Sequence, residues 1–234
     1  ENPAMDATSA LLDYERNKNG LHVPSLLPLP DNRLLAAWQN NTLHETNDGV
    51  IKMAVRSRGG VWGPVSTVIS AGADGTSNVG PVLHQLIDGM SLTYLSITDG
   101  IYNVRKRQIH VASDGSISLG VPDTVFENGL VLNHMLTLPN GRIIACWHTA
   151  SSSWKNRISY SDDGGTTWTA ADIPQFANKA GEGFAIVEAN GTLASYWRTD
   201  MTAISRSTSD DDGATWTGLA RTAIPCANMP TQGL

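Results

Sequence analysis

Four stretches of the chain share one pattern of apolar and polar positions: an apolar run, a short Asp/Asn/Gly turn, and a second apolar run. They read VPSLLPLPDNRLLAAW (23–38), GPVLHQLIDGMSLTYL (80–95), NHMLTLPNGRIIACW (133–147) and EGFAIVEANGTLASYW (182–197). The turns are Asp31-Asn32, Asp88-Gly89, Asn140-Gly141 and Asn190-Gly191. Such dipeptides accept positive φ and join antiparallel strands, so each stretch predicts a hairpin. Trp38, Trp147 and Trp197 fall in one slot at the hairpin end, and Leu95 fills it in the remaining copy.

A third strand, a glycine-rich turn and a short fourth strand follow each hairpin, in 51–68, 107–125, 157–173 and 203–224. Four strands per unit, recurring about every 50 residues, predict an all-β chain of propeller blades. The expected boundaries are 21–70, 78–126, 130–174 and 181–225. Residues 226–234 would begin a fifth blade and 1–20 form a lead-in. Helical periodicity is weak, and only residues 5–15 carry a short helical pattern.

The turn between third and fourth strands is written twice in nearly the same letters, SDDGGTTW (161–168) and SDDDGATW (209–216). Asp163 and Asp211 suit acceptance of turn N–H groups, and the glycines suit positive φ. Trp168 and Trp216 are expected to pack between blades. The first blade keeps Trp62 but lacks the acid, and the second keeps Asp114 but lacks the tryptophan. A motif that decays in half its copies is read as structural rather than catalytic.

Composition narrows the function. The net charge is −6 and the basic residues are scattered, which excludes a nucleic-acid surface built on clustered Lys and Arg. No apolar run reaches the length of a membrane span. Cys146 and Cys226 have no metal-type spacing; they either pair or stay as thiols, and a buried thiol at Cys146 is favoured. No metal and no cofactor is expected. Residues 1–20 lack the basic and apolar regions of a signal peptide. Asn40-Asn41-Thr42 and Asn190-Gly191-Thr192 fit the N-glycosylation triplet.

Ser-x-Asp-x-Gly-x-Thr-Trp resembles the Asp box of sialidases and related propellers, the bacterial neuraminidase repeat. LHVPSLLPLPDNRLLAAWQNNTLHETNDGVIKMAVRSRGGVW (21–62) looks like a first sialidase-like blade, and FAIVEANGTLASYWRTDMTAISRSTSDDDGATW (184–216) like a later one. The resemblance spans roughly 20–234 and implies a six-bladed family fold. It also implies a secreted or cell-surface protein and a glycan or small carbohydrate as substrate. Four blades leave edge strands open, so a second chain or a homo-oligomer is a candidate partner completing the propeller.

The resemblance also implies a site. Sialidases clamp the substrate carboxylate with three arginines, whose planar forks pair bidentately with it. They attack with a Tyr paired to a Glu, and use an Asp as acid/base. Here His22 stands where the first arginine is expected, so the clamp departs from the family pattern. Glu182 and Arg198 have the spacing of the family's Glu and second Arg. Arg198 has two acids in reach across its hairpin, Glu182 and Glu188. The acids nearest the acid/base position are Glu45 and Asp48. The candidate catalytic set is therefore His22, Glu182, Arg198 and Asp48. Glu45, His84, His134 and Trp154 are the candidate substrate-binding set, with Trp154 offered for stacking on a sugar ring. The resulting expectation is an exo-acting glycoside hydrolase or related enzyme of the sialidase-like group, but not a standard sialidase. The alternatives are a non-catalytic, lectin-like glycan binder and a structural module.

Overall fold

The computed structural model describes residues 20–42, 47–87, 89–151, 153–200 and 202–226. The expected lead-in and its short helix, and the start of a fifth blade beyond Cys226, lie outside the described residues. Every regular element in the described residues is a strand. The first sheet is β1 (Gly20–Pro28), β2 (Leu34–Asn41), β3 (Val50–Arg56) and β4 (Ser66–Ile69). The second is β5 (Ser77–Leu86), β6 (Gly89–Thr98), β7 (Ile101–Val111) and β8 (Ile117–Leu119), with β9 (Asp123–Phe126) also on β7. The third is β10 (Gly129–Leu130), β11 (Leu136–Thr137), β12 (Ile143–Thr149), β13 (Asn156–Ser161) and β14 (Thr169–Ala170). The fourth is β15 (Ala180–Val187), β16 (Leu193–Thr199), β17 (Ala203–Ser209) and β18 (Ala220–Pro225). The first and fourth sheets are antiparallel meanders in chain order, the second and third follow the same path with one further strand off it, and each sheet is the blade of a β-propeller.

The blades fall into two compact units, Glu1–Gln85 with Gly89–Val125, and Leu86–Asp88 with Phe126–Leu234. In the first unit Leu35, Ile51 and Met53 of one blade share a core with Leu83, Leu92 and Ile109 of the other. In the second unit Ile144, Cys146 and Ile158 share a core with Leu193, Trp197 and Trp216. Cys146 is a buried thiol, and burial pushes its pKa up.

The hairpin turns behave as their dipeptides dictate. Gly141 and Gly191 take φ of 89° and 86°, and Asn32 takes 65°. Trp38, Trp147 and Trp197 sit on the second strands β2, β12 and β16, with Leu95 at the corresponding place on β6. Opposite Trp38 and Trp197 the inner strand carries a bulge, between His22 and Ser25 in β1 and between Gly181 and Phe184 in β15. The extra residue makes room for the indole. A Cβ on Gly183 would lie 2.5 Å from the Trp197 ring, which is why only glycine fits there. In the third blade the inner strand is interrupted instead, and β10 and β11 both pair with β12.

The two intact Asp boxes turn their polar groups inward. Asp163 Oδ1 accepts from the Thr166 and Thr167 amides at 3.0 and 2.8 Å, and its Oδ2 accepts from Thr167 Oγ1 at 2.6 Å. Asp211 Oδ1 accepts from the Thr215 amide at 2.9 Å and Oδ2 from its hydroxyl at 2.7 Å. These bonds, led by the Thr167 hydroxyl for Asp163 and by the Thr215 amide for Asp211, hold both carboxyls down at about 2. Ser161 and Ser209 donate to the acids and accept the buried Gly165 and Gly213 amides. Ser161→Ala and Ser209→Ala are each expected to cost about 1–3 kcal/mol of stability, because a buried amide loses its acceptor. Urea unfolding checks this, and ligand binding per folded molecule should be unchanged.

Candidate functional site

Three of the repeat copies begin on a residue in the left-handed region: Val23 (φ 49°), Gly80 (φ 59°) and Glu182 (φ 52°). Glycine takes this backbone at no steric cost, whereas a glutamate there is strained. The strain sits on the bulge of β15, and it places Glu182 beside the residue that follows Trp197. Arg198 Nη1 donates to both carboxylate oxygens, at 2.8 and 2.9 Å. The pair is partly open, with side-chain exposures of 26% for Arg198 and 30% for Glu182. Among the described residues no partner takes Arg198 Nε or Nη2, so two donors of the fork remain for a ligand. Asn133, in the interruption of the third blade's inner strand, donates to the Glu182 carbonyl at 2.8 Å and steadies the bulge.

The place after the slot tryptophan is occupied by Gln39, Ser96, His148 and Arg198 in the four blades. Gln39 and Ser96 are buried and hydrogen-bonded, to the Gly80 amide and to the Asp74 carbonyl. His148 is only 1% exposed. Its Nδ1 lies 3.1 Å from the Thr149 carbonyl, and its Nε2 has no partner among the described residues. Its ring and the Trp154 ring stand 4.9 Å apart, tilted by 32°, and both close on Gly181. A Cβ on Gly181 would meet Trp154 at 2.9 Å and His148 at 3.0 Å. The Trp154 loop is tied to β15 by the bond from the Ala180 amide to the Trp154 carbonyl, 3.0 Å. Glu182, Arg198, Trp154, His148 and Asn133 therefore form one cluster at the opening of the fourth blade's inner strand.

Burial lowers the His148 pKa, against the opposing pull of the Thr149 carbonyl and the Glu182 charge, so the imidazole is neutral at pH 7. The unfolded chain then binds the proton more readily than the folded one. The contribution of His148 to stability is present above the ordinary histidine value of about 6.5, and is lost as pH falls through the depressed folded value. Urea midpoints measured from pH 7.5 to pH 5 should fall more steeply for wild type than for His148→Gln.

The expected residues divide between the two units. In the second, Glu182, Arg198 and Trp154 come together, and Glu182 rather than Glu188 takes Arg198. Glu188 belongs to Arg206 and Tyr196, at 2.7–2.8 Å and 2.5 Å. His134 is exposed and follows Asn133. In the first unit, His22 pairs with Gln39 across β1 and β2, at the place that Gly181 holds in the fourth blade. It thus stands one residue ahead of the acid's position. Asp48 is occupied in closing its own loop, accepting from the Thr42 amide and hydroxyl. His84, expected to bind substrate, is 1% exposed, with Nε2 2.7 Å from Thr93 Oγ1. That is a core histidine's environment, and no ligand reaches it in this conformation. Glu45 lies outside the described residues. Among the described residues no group of three or more His, Cys, Asp or Glu is placed to hold a metal ion.

The model of the BNR repeat-like domain family matches residues 32–234, most of the chain. The chain belongs to the BNR repeat-like domain family. Among solved structures, this BNR repeat-like chain is similar to a protein of unknown function from Dyadobacter fermentans. That match has a TM-score of 0.72 and 18% identity, and covers 89% of this chain and 71% of that one. It is also similar to the leech intramolecular trans-sialidase complexed with 2,7-anhydro-Neu5Ac, at TM-score 0.69 and 15% identity, covering 88% of this chain and 51% of the leech enzyme. A third is the Trypanosoma rangeli sialidase in complex with sialic acid, at TM-score 0.62 and 17% identity, covering 85% and 37%. No curated protein matches the BNR repeat-like chain. The likeness is one of fold, and the chain spans about half of the leech enzyme's length and less of the trypanosomal one's.

Proposed function

We propose that this chain acts on carbohydrate at the Glu182–Arg198 cluster, as an exo-acting glycoside hydrolase or related glycan-cleaving enzyme of the sialidase-like group. Membership of the BNR repeat-like family supports a carbohydrate-related role. The observation that carries the finer reading is the strained, partly open Glu182–Arg198 pair with Trp154 beside it. Backbone strain of this kind concentrates at functional sites. The two remaining donors of Arg198 suit a sugar carboxylate or two adjacent hydroxyls. Glu182 supplies a carboxylate for proton transfer, and Trp154 a ring against which a sugar face packs. An acidic or deoxy sugar fits this set.

A standard sialidase activity does not fit it, because His22 stands where the resemblance calls for the first clamp arginine. A panel of chromogenic glycosides tests the reading. Wild type should turn over at least one acidic or deoxy-sugar glycoside, and Glu182→Gln should lose about 100-fold or more, the usual scale of a general acid–base group. Sialosides should be poor substrates. Efficient sialoside cleavage, or full activity in Glu182→Gln, would overturn it.

One observation favours a non-catalytic, lectin-like reading instead: both Glu182 oxygens are engaged by Arg198. Binding of glycans without turnover of any glycoside would select that reading. Among the described residues no helix is long and apolar enough to cross a membrane. Work on glycans outside the cell, at a cell surface or after secretion, belongs to the same proposal. So does completion of the propeller by a second chain or a second copy.

A further inference from the structure

The Asp-box turn of the fourth blade leans on the blade before it. Trp216 is 5% exposed, and its Nε1 donates to the Gly213 carbonyl at 2.9 Å. The Trp216 amide donates to the Asp172 carbonyl at 2.8 Å, and the Asp172 amide to the Ala214 carbonyl at 2.9 Å. Asp172 stands four places after Trp168 of its own blade, and in the first blade the residue four places after Trp62 is Ser66. The second blade should thus lay a tryptophan against the neighbourhood of Ser66. Its turn is too short to do so. Ala112 and Ser116 already close it, the Ala112 amide donating to the Ser116 carbonyl at 2.9 Å, whereas the fourth blade closes at Thr208 and Thr217. The residues that carry Trp216 in one blade have no counterpart in the other.

Space remains where that ring would lie. A cavity of about 510 Å³ opens between Val55, Trp62 and Ser66 of the first blade and the Ser113–Ile117 turn of the second, with Arg33 in its wall. The volume is in the ~300–1,000 Å³ range of small-ligand pockets. Trp62, Val55 and Ile117 give apolar walls. Arg33 is held by Asp31 Oδ2 and the Ala112 carbonyl, both at 2.7 Å, which fixes a guanidinium in the cavity wall. Guanidinium cations attract aromatic faces. Asp114 adds a carboxylate as acceptor, the role that the Gly213 carbonyl plays for Trp216. We propose that this cavity is a binding site for an indole-sized aromatic group with one N–H donor, either a free indole compound or the tryptophan of a partner peptide. It shares no residue with the Glu182–Arg198 cluster and stands whether or not the glycan reading holds.

Ligand-observed NMR with indole and with a capped Gly-Trp-Gly peptide tests it, with glucose as the competitor. Wild type should bind one or both probes, and Ser116→Trp, which fills the cavity with an indole of its own, should weaken binding at least 10-fold. If Ser116→Trp does not fold, Ser66→Phe blocks the opposite wall and should do the same. Tighter binding of the peptide identifies a protein partner, and tighter binding of indole a small molecule; both support the site. No binding of either probe at millimolar concentration would overturn the proposal. So would unchanged binding in the folded filled variant, or displacement of the probe by glucose.

Discussion

Trp197→Ala is expected to destabilise the protein by about 3–5 kcal/mol, the cost of emptying a fully buried aromatic site. Trp197 has no exposed surface. Its ring fills the space opposite the β15 bulge and lies against Gly183, and its Nε1 donates to Ser195 Oγ at 2.9 Å. Loss of the ring therefore empties the joint between inner and second strands as well as the core. Gly183→Ala should act through the same joint, because its Cβ would need the space the indole already holds. Denaturant unfolding reads both, and a change below 1 kcal/mol in Trp197→Ala would show that the bulge closes without its indole.

The second large effect is on the ligand. Arg198→Met keeps much of the side chain's length while removing the fork. It is expected to weaken binding of an acidic sugar by about 30-fold or more, equivalent to at least 2 kcal/mol for a lost charge-assisted contact. Glu182 then loses its partner, but it is partly open and remains solvated. Glu182→Gly is the complementary change. It relieves the strain of a glutamate at φ 52° while removing the carboxylate, so stability should change little and turnover should be lost. A variant that folds as well as wild type yet has no activity separates a site residue from a structural one.

Much of the blade architecture was legible in the sequence because two periodic signals agreed. The Asp/Asn/Gly turns set the hairpins, and the tryptophan slot set the register. The aligned copies begin on Val23, Gly80 and Glu182, and all three share a left-handed backbone. The partner of Arg198 was not legible, because the residues alone left open whether Glu182, in β15, or Glu188, just past its end, faces Arg198. The choice is made by the register: Gly181 pairs with Arg198 and Val187 with Leu193, so Glu182 meets Arg198 at one end of the hairpin, while Glu188 at the turn end pairs with Arg206 and Tyr196. His84 misled for a related reason. β5 is buried on both faces, so no alternation distinguishes a histidine facing a ligand from one facing the core. His148 had a signal, its place one after the slot tryptophan, which is the place of Arg198. Asn133 had none, since its contact with the Glu182 carbonyl depends on an interruption of the inner strand that the apolar run does not announce. The two decayed Asp boxes looked like simple wear, but the shortened turn at 112–116 leaves a cavity.

The central claim is that Glu182 and Arg198 form a carbohydrate site, and a glycan array probed with wild type and folded Arg198→Met tests it most directly. Wild type should bind a set of acidic or deoxy-sugar glycans, with weak signals on sialosides, and Arg198→Met should lose that set. Equal binding by the two proteins, or no binding by wild type to any glycan, would contradict the account.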